Sequence, residues 1–243
     1  MIIDLIKKNI PEYKIKFPIL QQTYSFRPIL VKEEKFISVL TSISCTFEDK
    51  VNNLCNLVNS CFEDKINCLN TNIGDFQFAL NELRKKSIGD DAEFNIICPE
   101  TNESVIIKLN LNDFNISNVS TEKLIKLNGK ELNIKFRQPK VKDLLLLDDF
   151  PSTDDDYKKL VANSISEIET PSESYSVEDD SIEEKIKYVE YLNLNEFRKV
   201  KEFIASGSMK TVIKYKTSDS KERELEVNDF VNFLKFYMVT LIL

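Results

Sequence analysis

The 243-residue chain has no histidine and no tryptophan, and it has only four glycines. Without histidine it lacks the commonest general base, the commonest transition-metal ligand and every Ser-His or Cys-His nucleophile arrangement. Carboxylate, lysine or tyrosine chemistry is what remains. So few glycines leave no room for the GxGxxG or GxxxxGK[ST] loops that cradle phosphates, so a nucleotide-dependent enzyme is not expected. The five cysteines (Cys45, Cys55, Cys61, Cys68, Cys98) are odd in number and none is spaced CxxC. Reduced thiols are the simplest expectation, with neither a zinc site nor a redox pair. Long apolar runs are missing too: FYMVTLIL at 236–243 falls far short of the ~20 residues that span a bilayer. The opening MIIDLIKKNI has an aspartate inside its apolar part and no small-residue cleavage site after it, so it does not read as a secretory leader.

What the chain does have is 42% hydrophobic and 30% charged residues, enough for a sizeable core in one large domain or two small ones. Its net charge of −7 is local. Residues 148–184 hold thirteen acidic side chains against two lysines, Lys158 and Lys159, and the remainder is weakly cationic.

Periodicity divides the chain into textures. YKIKFPI and QQTYSFRPIL read as a short N-terminal hairpin, with Pro28 holding Arg27 extended. Phe36, Val39, Leu40 and Ile43 fall at helical spacing, Phe47, Val51, Leu54, Cys55, Val58 and Cys61 form a second stripe, and Phe76, Ala79, Leu80 and Leu83 a third. Two β-branched runs around ETNES and two more around Asn128-Gly129 predict an antiparallel β unit over roughly 92–137. The acidic stretch, with Pro151 and Pro171, reads as a partly flexible connector with one helical series from Tyr157 to Ile168. Beyond it come two helical patterns, the strands MKTVIKYK and ERELEV around TSDSK, and a last helix in NDFVNFLKF. The expected fold class is therefore α+β: an N-terminal α+β domain over 1–147, an acidic connector over 148–184, and a helix-hairpin-helix portion over 185–243.

Most chemistry-bearing clusters have a plain structural reading. Cys55, Cys61 and Cys68 sit in a helical region, where small core hydrophobes are expected. Cys98-Pro99 would suit the first knuckle of a zinc ribbon, but no second cysteine follows at the needed spacing. The paired acids Glu33-Glu34, Asp90-Asp91, Asp148-Asp149 and Asp154–Asp156 stand in charge-rich runs that favour a solvated surface over general acid–base work. Arg84-Lys85-Lys86 lacks interleaved aromatics, so compensation of a helix C-terminus explains it better than nucleic-acid binding. The junction FRPILVKEEK at 26–35 is harder to dismiss: Arg27 lies among apolar groups and, if covered, needs a carboxylate or carbonyl partner.

Phe26, Arg27, Pro28, Lys32, Glu33, Glu34 and Lys35 in that junction, followed by GDFQFALNELRKKSIGD with Leu83, Arg84, Lys86, Ser87 and Gly89, form an ordered pair of motifs. The pair resembles the baseplate hub subunit and assembly protein family of T-even-like contractile-tail bacteriophages. The likeness is strongest over 13–111, and the ending YLNLNEFRKVKEFIASGSMK…VNDFVNFL is similar too. Relatives often carry a cysteine pair in the C-terminal hairpin where this chain has TSDSKE, so a metal knuckle gains no support. The resemblance implies a non-catalytic role in baseplate assembly, with hub and tail-tube proteins as partners, in the host cytoplasm and then in the virion if retained. It implies no cofactor, nucleic acid, membrane or small-molecule substrate. The alternatives are an assembly chaperone absent from the particle and, in a different class, a carboxylate- or cysteine-dependent hydrolase. Two further expectations are that FYMVTLIL either closes the core or docks a partner, and that the acidic stretch mimics a polyanion or masks a basic surface on a partner until assembly proceeds.

Overall fold

A computed structural model of the chain describes residues 2–40, 42, 44–116, 119–127, 131–149 and 153–227. Ile43, the Asn128-Gly129 turn, Pro151, the last helix in NDFVNFLKF and the run FYMVTLIL lie outside the described residues.

The architecture is α+β, with helices packed on small antiparallel sheets. Helix α1 (Ile2–Lys8), which sequence periodicity did not reveal, buries none of its residues. Strands β1 (Tyr13–Lys16) and β2 (Thr23–Phe26) form the expected hairpin, with Tyr13 opposite Phe26 and Ile15 opposite Tyr24. Helices α2 (Glu34–Leu40), α3 (Phe47–Cys61) and α4 (Ile73–Ser87) follow. Thr46 starts α3 with a capping box: its hydroxyl accepts the Asp49 amide while the Asp49 carboxylate accepts the Thr46 amide, satisfying two otherwise orphaned donors. The apolar stripe of α3 then turns Val51, Leu54, Leu57, Val58 and Cys61 inward.

The expected β unit of 92–137 divides in two. Among the described residues, strands β3 (Asp91–Ile97) and β4 (Ser104–Asn110) pair only with each other. Strands β5 (Glu122–Lys126) and β6 (Asn133–Arg137) start a four-stranded sheet that β7 (Ile165–Glu169) and β8 (Ser174–Ser176) complete. The last two strands come from the stretch read as a connector, which also carries helix α5 (Asp154–Asn163). The helical series expected to reach Ile168 stops at Asn163, because Ile165 and Ile168 pair with Phe136 and Ile134. Acidic composition did not keep this stretch from folding, because some of its charges are met locally. Asp154, Asp155 and Asp156 occupy the first turn of α5, where the helix dipole favours anions, and Glu167 faces Lys135.

Helices α6 (Ile182–Glu190) and α7 (Leu194–Ser206) and the hairpin β9 (Thr211–Lys216)–β10 (Glu222–Val227) end the described chain. Two apolar cores result. One joins β1–β2, α3, α4 and β3–β4 to residues 141–147 and to β9–β10. The other gathers β5–β7 and α5–α7. The residues of 185–227 thus contribute to both cores.

Candidate functional site

The junction after β2 is an arginine corner. Phe26 is fully buried and stacks on Phe62 with ring centroids 5.3 Å apart. The Arg27 guanidinium grips Glu33 with both forks, Nη2–Oε1 at 3.0 Å and Nη1–Oε2 at 3.1 Å, and also donates to the carbonyls of Pro28 and, at 2.7 Å, Ser60. Glu33 is 2% exposed, and its second job is to accept the Leu30 amide at 2.9 Å. Burial works against its charge, but the Arg27 fork and the Leu30 amide outweigh it and hold the carboxyl below the ordinary glutamate range. Lys32 to Lys35 do not lie in one long helix: Val31–Glu33 is a single 3-10 turn and α2 has seven residues. Lys32, Glu34 and Lys35 face solvent, with Lys32 Nζ 3.7 Å from Glu33 and Lys35 Nζ over the Phe36 ring.

The second motif ends on the same corner. Ser87 accepts the Ile29 amide at 2.9 Å while donating to Leu83 O, and Lys86 Nζ lies over the Tyr13 ring. Leu83 is wholly in the core. Arg84, expected as a cationic helix end, is itself buried and donates to the carbonyls of Gly89 and Asp91, fastening the end of α4 to β3. Gly89 has φ +131°, a backbone conformation that favours glycine. Asp75, near the start of α4, is fully buried and accepts the amides of Ile19 and Leu20 at 2.8 and 2.9 Å; burial pushes its carboxyl up to about 6. The two motifs thus form one structural knot.

A second corner went unread in the sequence. Arg137 grips the fully buried Asp143 at 2.7 and 3.1 Å and donates to Asn163 O at 2.7 Å. Its signal was FRQPKVKD at 136–143, which repeats the spacing of FRPILVKE.

Between α5 and α7 lies an open groove of about 800 Å³. Its apolar lining includes Leu194, Phe197, Tyr157 and Leu160, with Arg198 and Lys210 among its charged residues. Lys201 pairs with Asp154 at 3.1 Å and lies over the rings of Tyr157 and Phe197. A smaller cleft beside α1 is lined by Lys7, Lys8, Arg27 and Lys32 with Glu12 and Glu63.

The turns of β3–β4 and β9–β10 meet through Arg223, which binds Glu100 at 3.0 Å and Asp219 at 2.9 Å, while the Ser218 amide donates to Glu103. The Arg223 fork and the Thr217 hydroxyl hold Asp219 well below the usual carboxylate range. Cys98 sits under this contact. The side chain and backbone of Thr101 and the Tyr215 hydroxyl, 3.6 Å away, bring its thiol down to about 7. The thiol is fully buried, so no substrate reaches it. Burial pushes Cys61 up, and the contact with Cys55 together with burial does the same for Cys68. Among the described residues, no group of three or more carboxylates and thiols is close enough to hold a metal ion, and no helix is long and apolar enough to cross a membrane.

A family model described as T4 bacteriophage base plate protein matches residues 10–235, nearly the whole chain. No curated protein and no solved structure gives a significant match.

Proposed function

Since the chain belongs to the T4 bacteriophage base plate protein family, we propose that it is a non-catalytic hub component that builds the baseplate of a contractile tail through protein–protein contacts. The family match over 10–235 carries this reading. The site chemistry agrees with it: the buried charged groups Arg27, Glu33 and Arg84 are committed to one another and to the backbone, which holds a shape. The open α5–α7 groove, apolar inside with a charged rim, has the character of a protein-docking surface. Hub and tail-tube proteins are the partners this role calls for, with assembly in the host cytoplasm. The test is copurification of the tagged full chain from infected cells: recovery of hub or tail-tube proteins is expected, and association with no baseplate protein overturns the reading. Recovery from assembly intermediates alone, and not from finished particles, would make it an assembly factor.

A further inference from the structure

The chain builds the same unit twice, and its two uncovered ends match the junction between the units. From Phe26 and again from Phe136 one spacing recurs: Phe-Arg, then Val-Lys-acid beginning five residues after the phenylalanine, as Val31-Lys32-Glu33 and Val141-Lys142-Asp143. The hydrogen bonds recur with it. The backbone amides of Arg27 and Arg137 donate to Cys61 O and Ser164 O at the ends of α3 and α5. Each guanidinium holds its acid and the carbonyl one residue earlier in that helix end, Ser60 or Asn163. Each acid then accepts the amide three residues before it, Leu30 or Lys140. Next, α4 and α7 open on Asn-hydrophobe-x-acid-Phe, as Asn72-Ile73-Gly74-Asp75-Phe76 and Asn193-Leu194-Asn195-Glu196-Phe197, and each leads into a hairpin. Residues 13–110 and 122–227 are therefore two copies of hairpin, arginine corner, helix, helix and hairpin, the first with α2 added and the second enlarged by β7, β8 and α6.

Inside the molecule, the corner of the second unit sits on the start of α4 in the first. Ile73 donates its amide to Pro139 O at 3.1 Å, Val141 donates to Thr71 O at 3.0 Å, and Val141 is 0% exposed. The counterparts of these residues are bare. Val31, which matches Val141, is 85% exposed, and Leu194, which matches the 4%-exposed Ile73, is 88% exposed at the α5–α7 groove. A bare valine corner in the first unit and a bare helix start in the second, at a groove that Ile73 and Pro139 also line, are thus the two halves of a contact the chain already makes once.

We propose that a second copy of this chain seats its Val31 corner on the Leu194 groove, as Val141 sits on Ile73. The occupant follows from the internal junction, which supplies both complementary surfaces and their register. The contact is head-to-tail, so each dimer keeps one free corner and one free groove, and association continues into chains or closes into a ring. The inference rests on the repeat and not on which baseplate proteins the chain meets.

Sedimentation velocity of the purified full chain over rising concentration tests it, independently of any copurification. Concentration-dependent association is expected in the wild type. Val31→Asp and Leu194→Asp are each expected to weaken it by at least about tenfold, the loss typical of a buried interface anchor. The decisive sample is the equimolar mixture. The intact groove of Val31→Asp accepts the intact corner of Leu194→Asp, so the mixture forms a heterodimer and nothing larger, which also shows that both variants are folded. A wild type that stays monomeric at high micromolar concentration overturns the proposal and leaves the groove to a different protein. So do association that survives both substitutions and a mixture that stays monomeric.

Discussion

Arg27→Ala tests whether the corner is a structural clamp. The substitution leaves the Glu33 side chain, 3% exposed, with the Leu30 amide and the marginal Lys32 contact, and it strips Ser60 O of a 2.7 Å donor. Removing one partner of a buried ion pair costs about 3–5 kcal/mol. The Arg27 side chain is 18% exposed, so water recovers part of the loss and the low end, about 3 kcal/mol, is expected. For a chain of this size that lowers Tm by about 6–12 °C. Urea titration of wild type and variant across pH is the assay. Because Glu33 has its pKa lowered in the folded chain, its contribution is present above the ordinary glutamate value and is lost as pH falls through the lowered one. The gap between the two proteins should therefore be full at about pH 7 and shrink below about pH 4. A gap under about 1 kcal/mol, as at exposed pairs, or one that does not change with pH, refutes the clamp. Replacing Arg27 and Glu33 together with methionines should recover most of the loss, because no buried charge is then stranded.

Asp75 runs the other way: its folded pKa of about 6 lies above the ordinary aspartate value, so its contribution is fully present below the ordinary value and is lost as pH rises through about 6. Asp75→Asn should remove that limb, worth about 3 kcal/mol, so the advantage of wild type over variant in urea titrations grows from pH 7 to pH 4; a flat difference refutes it. Gly74→Ala should cost about 3 kcal/mol or more by thermal unfolding, since the new Cβ would stand 1.9 Å from Gly207 O and backbone cannot swing aside.

Periodicity was legible wherever one face of an element is buried. The stripes of α3 and α4 and the alternation in β1–β2 and β9–β10 follow directly from residue order, because their apolar positions all point the same way. Helix α1 was not legible, since it buries nothing and the pattern has no interior to mark. The acidic stretch misled because net charge averages over position: α5 needs only Leu160, Val161 and Ala162 buried, and β7 takes its place from pairing with β6, a partner distant in sequence. The Arg27 carboxylate was foreseeable in kind and not in identity, for Glu33 and Glu34 look alike in sequence until the 3-10 turn directs one inward and the other to solvent. The second corner escaped because Gln138 and Lys140 stand where the first has Pro28 and Leu30, which hides a spacing that the hydrogen bonds make plain.

The hairpin β9–β10 closes the core that the first hundred residues begin. The Met209 amide reaches Gln77, the Tyr215 hydroxyl reaches Cys98, and Arg223 reaches Glu100, each across more than a hundred residues of chain. On the ribosome the first unit therefore emerges with one wall missing and completes it only after the second has been made. Such late, long-range closure slows folding and leaves apolar surface open meanwhile. Nonsense fragments ending before residue 209 should consequently aggregate instead of accumulating as half-sized folded proteins.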